Sequence, residues 1–246
     1  MLKHITFTGV DNSIDPYLLF SMDQHLLSMV EWGVLVKKFD HYSSPRWPDK
    51  KWIGELAELY RRSTEKVKPK FSLHLCGGYL TNVLMGQTSL RGDLLSLDCS
   101  DIFERVQLNT HGEPAIWRNK FFSDIPKDME VIVQYDGVNG GLLAAMKDEG
   151  ISHSALFDLS HGGGVLPDVW PEALPYTRCG WAGGLGPDNL EQQLVIIDRL
   201  SSSRKQQDWV DCETKVRTFP GRRDFDMKAV MEMIRIFNAY KTEKQR

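Results

Sequence analysis

Eight short segments of this chain, largely apolar and separated by segments with helical periodicity, contain the β-branched and aromatic residues typical of strands. The predicted strands are HITFTG (4–9), WGVLVKKF (32–39), KFSLHLCG (70–77), RVQLNT (105–110), EVIVQYDG (130–137), HSALFDLS (153–160), YTRCGWAGG (176–184) and DWVDCET (208–214). Between most of them lie segments with the apolar repeat of amphipathic helices, such as 49–66 and 141–150. Strands that alternate with helices predict a parallel sheet.

The number and spacing of these segments predict the fold class. Eight β/α units within about 250 residues are what a (β/α)8 barrel requires. No Gly/Ser-rich or Pro-rich tract divides the chain, and no internal repeat is visible. The sequence therefore predicts an α/β protein that forms one (β/α)8 TIM barrel domain over residues 1–246.

Composition and charge exclude several classes of function. The 30 basic and 33 acidic residues are interspersed without a basic run, so the charge pattern does not indicate nucleic-acid binding. No apolar stretch approaches the roughly twenty residues of a membrane span, and MLKHITFTGVD (1–11) contains no apolar run of the kind expected in a signal sequence. We expect a cytoplasmic protein that binds neither nucleic acid nor a membrane and that can form a homodimer. Cys76, Cys99, Cys179 and Cys212 lack CxxC spacing, which indicates free thiols.

A glycine-rich turn, AGGLGPDN (182–189), follows the seventh predicted strand and begins a helix. In α/β barrels the loops after strands seven and eight commonly hold phosphate. Glycine lets backbone N–H groups approach an anion, and a helix N-terminus adds partial positive charge. The turn therefore predicts a phosphate site at Gly183, Gly184 and Asn189. A tight turn that merely requires positive φ is the alternative.

Further motifs occur in a defined order along the chain. They are FTGVD (7–11), SSPRW (43–47), VQL (106–108), LFDLSHGGGV (156–165), WVDCETKVR (209–217) and PGRRDFDMKAVMEMIRIF (220–237). Together with the glycine-rich turn they resemble phosphoribosylanthranilate isomerase, an Amadori-type isomerase. The resemblance includes both ends of the chain and six of the eight predicted strands. It is weak between these motifs.

The resemblance implies a barrel of the ribulose-phosphate-binding type and an isomerase that acts on a small phosphorylated sugar-type metabolite without a cofactor or metal ion. Asp158 would be the general acid that protonates the sugar ring oxygen. Arg46 would bind the substrate carboxylate through its planar guanidinium. Gly183 and Gly184 would hold the phosphate.

Two departures from the family pattern affect the expected chemistry. Thr8 stands where the family has its cysteine base, and an un-ionised hydroxyl cannot remove a carbon-bound proton unless another base activates it. Glu213, Thr214 and Lys215 replace a Ser-Ser-Gly segment and place a carboxylate beside the expected anion. Lys215 either compensates for that charge or pairs with Glu213 and closes the pocket.

Polar residues occupy alternate positions of the middle strands, where they would face into the barrel. They are Ser72, His74 and Cys76 in the third strand, Gln107 and Asn109 in the fourth, and Gln134 and Asp136 in the fifth, while His161 follows the sixth. Because barrel interiors are usually apolar, we expect these residues to bind a polar ligand near the mouth. A hydrogen-bonded structural network would give the same pattern.

Three functions remain open at this point. The first is an isomerase or related enzyme with Asp158 as the acid and a replacement base from among Asp11, His74, Cys76 and Asp136. The second is a metal-dependent lyase or hydrolase that uses His74, Asp136, Asp158 and His161, although no local spacing such as HxH supports it. The third is a barrel without catalysis that binds a phosphorylated metabolite.

Overall fold

Eight parallel strands form a closed barrel in chain order, as the succession of strand-like and helical segments predicts. The computed structural model describes residues 2–37, 46–87, 100–110, 119–160, 162–201, 206–218 and 224–244. The strands are β1 (His4–Thr8), β2 (Val30–Val36), β3 (Lys70–Leu75), β4 (Phe103–Leu108), β5 (Glu130–Tyr135), β6 (His153–Asp158), β7 (Arg178–Ala182) and β8 (Trp209–Cys212). All eight overlap the predicted segments, so this part of the prediction is confirmed.

Helices connect most of the strands on the outside of the barrel. They are α1 (Tyr17–Phe20), α2 (Gln24–Leu27), α3 (Lys50–Arg62), α4 (Gly77–Leu84), α5 (Asn119–Asp124), α6 (Gly140–Asp148), α7 (Leu190–Ser201) and α8 (Met227–Lys244). Between β6 and β7 the described residues of 159–177 form a loop without a helix. The architecture is an α/β barrel of the TIM type. No helix within the described ranges is long and apolar enough to cross a membrane.

The sequence of α3 explains both where this helix begins and which of its faces is buried. The Asp49 carboxylate accepts a 2.8 Å hydrogen bond from the Trp52 backbone N–H and so caps the helix N-terminus. Trp52, Ile53 and Leu56 lie on one face and are buried against the barrel. Burial of this face stabilises the helix more than the intrinsic propensity of its residues does.

The two faces of each strand separate an outer core from the barrel interior. Phe71 and Leu73 belong to the large apolar core between strands and helices. Alternate residues point inward, and there Ile132, Leu156 and Trp209 form a second, small apolar cluster. This cluster lies between a charged network at the amino ends of the strands and a polar cavity at their carboxyl ends.

Buried charges fill the amino end of the barrel. The Arg105 guanidinium lies 2.9 Å from Glu31 Oε1, and the Arg178 guanidinium lies 2.6 Å from Glu130 Oε2. Both guanidinium groups stack over the Trp209 ring, at 4.1 and 5.1 Å from its centroid. Burial, with Arg105 and Arg178 nearby, lowers the pKa of His4 well below its usual value, so His4 is neutral. Because TIM-barrel active sites lie at the opposite end, we assign this network to stability.

Candidate active site

A cavity opens at the carboxyl ends of the strands, the end at which TIM-barrel enzymes carry their active sites. Side chains from several strands and from the loops that follow them form its wall. The lining residues are Thr8, Arg46, Gln107, Asn109, Gln134, Leu156, Asp158, Ser160, Gly162, Gly164, Ala182, Gly183, Gly184, Asp211, Glu213 and Thr214. Carboxylates, amides and hydroxyls predominate, so the cavity suits a polar ligand with several hydroxyl groups.

Asp158 lies at the end of β6 and is held by hydrogen bonds that other groups donate. Its Oδ1 accepts from the Ser160 hydroxyl at 2.7 Å and from the Ser160 backbone N–H at 3.1 Å. Its Oδ2 accepts from Gln134 Nε2 at 2.9 Å and from the Gly162 backbone N–H at 2.7 Å. These contacts fix the carboxylate at the cavity wall and present it as an acceptor.

Asp211, in β8, is a titratable group of this cavity that the sequence analysis did not select. Its Oδ1 accepts a 2.8 Å hydrogen bond from the Thr8 hydroxyl. Burial raises the pKa of Asp211 to about 7, with added repulsion from Glu31 and Asp158 and a partial offset from the Thr8 hydrogen bond and from Arg105. A carboxyl group with this pKa exchanges protons near neutral pH, which general acid or base catalysis requires.

Asp158 and Asp211 lie at the same level of the barrel wall. The strand register pairs Asp158 with Ala182, and Ala182 with Asp211. Adjacent strands lie about 4.8 Å apart, so the two aspartates are separated by roughly 10 Å along the wall. The small side chain of Ala182 lies between them and lines the cavity. This arrangement leaves room for a ligand between the carboxyl groups of Asp158 and Asp211.

Arg46 lies at the cavity wall, and its guanidinium forms an ion pair with the Glu213 carboxylate. The guanidinium also lies over the Trp47 ring, 5.7 Å from its centroid. Burial lowers the pKa of Arg46 from its usual value. Glu213 therefore pairs with Arg46 in this structure, and the pairing with Lys215 considered above is not the one observed.

The glycine-rich turn lies against a second backbone segment as well as against the cavity. Gly184 has a φ of +65°, and a Cβ atom there would come within 2.5 Å of the Leu166 backbone nitrogen. Gly183 has a φ of +125°, and a Cβ there would lie 2.9 Å from the Val165 carbonyl oxygen. Both the positive φ and the contact with the β6–β7 loop exclude a side chain. Both glycines also line the cavity, and Gly183 is the more exposed of the two.

Three residues considered as replacement bases are not among the residues that line the cavity, although Asn109 Nδ2 donates a 3.1 Å hydrogen bond to Cys76 Sγ. Asp11 is fully buried, forms an ion pair with Arg217 and accepts a 2.6 Å hydrogen bond from the Ser13 hydroxyl. Burial, followed by the charge of Arg105, lowers the pKa of His74 to about 3, and its Nε2 lies 2.9 Å from Ser72 Oγ. Burial raises the pKa of Cys76 to about 11, so the thiol stays protonated at neutral pH.

None of the remaining described candidates, Asp136, Asn189 and Lys215, lines the cavity. Asp136 accepts hydrogen bonds from the backbone N–H groups of Val138 and Asn139, at 2.9 and 3.1 Å, and so holds the turn after β5. Asn189 braces the glycine-rich turn, because its Nδ2 donates to the Gly184 carbonyl at 2.9 Å. Lys215 is exposed and lies outside the set of lining residues. His161 lies outside the described residues.

Metal ligation receives no support from the part of the chain that the structure describes. Within it, no group of three or more His, Cys, Asp or Glu side chains is arranged to hold a metal ion. Of the four residues considered as metal ligands, Asp158 lines the cavity, whereas His74 and Asp136 do not. The structure therefore does not bring His74, Asp136 and Asp158 together around one point.

Sequence analysis overlooked two polar residues of the cavity, Asp211 and Ser160. Asp211 lies two positions after Trp209 on the inward phase of β8, and Ser160 is hydrogen-bonded to Asp158. Alternation along DWVDCET could have selected Asp211, but its bond to Thr8 depends on barrel closure.

Comparison with models of known protein families gives no match, and comparison with curated proteins gives no significant relative.

Proposed function

We propose that the barrel mouth is the active site of an isomerase or related acid–base enzyme that acts on a phosphorylated sugar-type metabolite. The observation that carries this proposal is the placement of Asp158 and Asp211 at one level of the same cavity, with a pKa of about 7 for Asp211. Two carboxyl groups in different surroundings, one of which keeps its proton near neutral pH, are typical of acid–base sites.

The geometry favours one division of roles between the two carboxyl groups. Asp211 keeps a proton up to about pH 7 and would donate it to an oxygen of the substrate. Asp158 is surrounded by donors and would act as the acceptor that removes a carbon-bound proton. This assignment reverses the role that the family resemblance implies for Asp158. It also supplies the catalytic pair without the missing cysteine base, because Thr8 now positions Asp211.

Other lining residues suit the two ends of such a substrate. The amides of Gln107, Asn109 and Gln134 can exchange hydrogen bonds with sugar hydroxyls. The backbone at Gly183 and Gly184, together with the Thr214 hydroxyl, would bind the phosphate. This assignment keeps the phosphate on the glycine-rich side of the cavity, as the sequence predicts.

The proposal is tested by hydrogen exchange at carbon. The protein is incubated in D2O with a panel of five- and six-carbon aldose phosphates, and deuterium at C2 is followed by NMR. We expect exchange with at least one of them, and a loss of about 10²–10⁴-fold in Asp158→Asn and in Asp211→Asn. Lys51→Ala, at an exposed position of α3 outside the set of lining residues, serves as the control. If no sugar phosphate exchanges with the wild type, the catalytic proposal fails.

A barrel that binds a phosphorylated metabolite without catalysis is the second candidate function. The Arg46–Glu213 ion pair favours it, because the cation expected to bind the substrate is already occupied. In that case a sugar phosphate raises the melting temperature while C2 exchange stays at the background rate. The same panel of compounds distinguishes the two functions.

A further inference from the structure

The Arg46–Glu213 ion pair crosses the mouth of the barrel beside the proposed acid–base pair. Arg46 lies after β2 and Glu213 after β8, and both of these strands neighbour β1. The pair therefore lies on the side of the cavity where β1 ends at Thr8. Its side chains are partly exposed, at 41% for Arg46 and 21% for Glu213, so a ligand can reach them.

A negative partner stabilises the charged form of Arg46 at this position. Its guanidinium is partly buried, and burial lowers its pKa from the usual value. Lys37 adds another positive charge nearby, because its Nζ lies over the same Trp47 ring as Arg46, at 5.8 Å. Glu213 supplies the negative charge that this group of cations needs.

We propose that Glu213 is a specificity-determining residue that occupies the place of a ligand carboxylate on Arg46, and so restricts the enzyme to substrates whose end at this side is uncharged. The inference rests on the proposed function only in that both concern the same cavity. A ligand carboxylate would have to displace Glu213 and leave it unpaired. The displaced charge would remain in a cavity that already contains Asp158 and Asp211.

Removal of the Glu213 charge should convert Arg46 into a binding site for an added carboxylate. Glutamine keeps the size of the side chain but removes its charge, so an added carboxylate no longer competes with the Glu213 carboxylate for the Arg46 guanidinium, which can bind it through two parallel hydrogen bonds. Wild-type protein should bind the same carboxylate weakly. An uncharged compound of the same shape should not distinguish the two proteins.

The test uses benzoate as the anionic probe and benzamide as its uncharged counterpart, with dissociation constants measured by calorimetry. We expect Glu213→Gln and Glu213→Ala to bind benzoate at least tenfold more tightly than the wild type, with no matching gain for benzamide. Arg46→Met combined with Glu213→Gln should remove the gain. Circular dichroism establishes that each variant is folded, and the two variants at position 213 provide independent tests.

Equal benzoate affinity in wild type and both variants at position 213 would overturn the inference. A gain that persists in the double variant would also overturn it, because the gain would then not depend on Arg46. Benzoate is not turned over, so these results do not depend on whether C2 exchange is observed. Failure of the exchange experiment would in turn leave the benzoate result unaffected.

Discussion

The Thr8 hydroxyl donates a 2.8 Å hydrogen bond to Asp211 Oδ1, although 203 positions separate the two residues in the chain. Barrel closure makes this contact, since β1 pairs with β8. Thr8 stands where the resembled family has a catalytic thiol, and here it holds a carboxyl group. The bond stabilises the charged form of Asp211, which burial otherwise disfavours.

Thr8→Val should raise the pKa of Asp211 further. Valine keeps the branched shape but lacks the hydroxyl that favours the carboxylate, and a hydrogen bond to a charged group contributes about 1.5–3 kcal/mol. The carboxyl carbon of Asp211, followed by 13C NMR as the pH is changed, measures the pKa directly. Thr8→Ser retains the donor and should titrate like the wild type. Identical titration of Thr8→Val and the wild type would contradict the prediction.

Asp211 should make the protein less stable as the pH rises. Its folded pKa is about 7, whereas an exposed aspartate has a pKa of about 3.9, so between these values the folded state binds a proton that the unfolded state releases. Stability from this group is therefore full below about pH 4 and is lost as the pH rises through 7. The difference corresponds to about 4 kcal/mol.

Urea unfolding at several pH values checks this prediction. Relative to the wild type, Asp211→Asn should gain stability between pH 5 and pH 8, because the amide has no proton to lose. The comparison between the two proteins cancels the other titrating groups, including His4. A constant difference across this pH range would show that the pKa of Asp211 is not raised.

Phosphate should stabilise the protein through the glycine-rich turn. A ligand present at about 100 times its Kd stabilises the folded state by roughly 2.7 kcal/mol. Gly184→Ala should abolish this response and should cost about 1–3 kcal/mol from the positive φ alone. Thermal unfolding with increasing phosphate measures both effects.

Gly54→Ala is the matched control for the phosphate experiment. Gly54 lies within α3, and a Cβ there would meet no atom within 4 Å. Alanine should stabilise this helix by about 0.5–1 kcal/mol and leave the phosphate response intact. An unchanged melting temperature of the wild type at millimolar phosphate would contradict the prediction that the glycine-rich turn binds phosphate.

Single truncations in the charged network at the amino end should destabilise the barrel strongly. Arg105→Met leaves Glu31 buried without its guanidinium partner, which typically costs about 3–5 kcal/mol. The double variant Arg105→Met with Glu31→Leu should cost less than Arg105→Met alone, because no charge is left unpaired. Urea unfolding compares them. Similar stability of wild type and Arg105→Met would contradict the structural role of this network.

Arg62 provides an exposed comparison for the buried pair. Arg62 and Glu58 form an ion pair on the surface of α3, with side chains 77% and 57% exposed. Such pairs contribute about 0–1 kcal/mol, so Arg62→Met should change the unfolding free energy by no more than that. Comparison of Arg105→Met with Arg62→Met therefore shows how much of the loss in unfolding free energy comes from burial of the ion pair rather than from the ion pair itself.

The sequence by itself determined the strands, their inward phase and part of the cavity wall. The alternation of His74 and Leu75, or of Asp158 and Phe157, is a local property of the backbone and is visible without a partner. Alternation selected Gln107 and Asn109, and the family resemblance selected Asp158, Arg46 and Glu213, before any contact was known. All five line the cavity.

Only the tertiary structure decided which polar groups meet and in which charge state. Asp11 and Asp211 look alike in sequence, but Asp11 pairs with Arg217 while Asp211 faces Thr8 and keeps its proton to about pH 7. The Arg46–Glu213 pair likewise exists because β2 and β8 both neighbour β1 in the closed barrel. Ion pairing and pKa depend on burial and on neighbours distant in the chain, and these are properties of the folded barrel that no local pattern encodes.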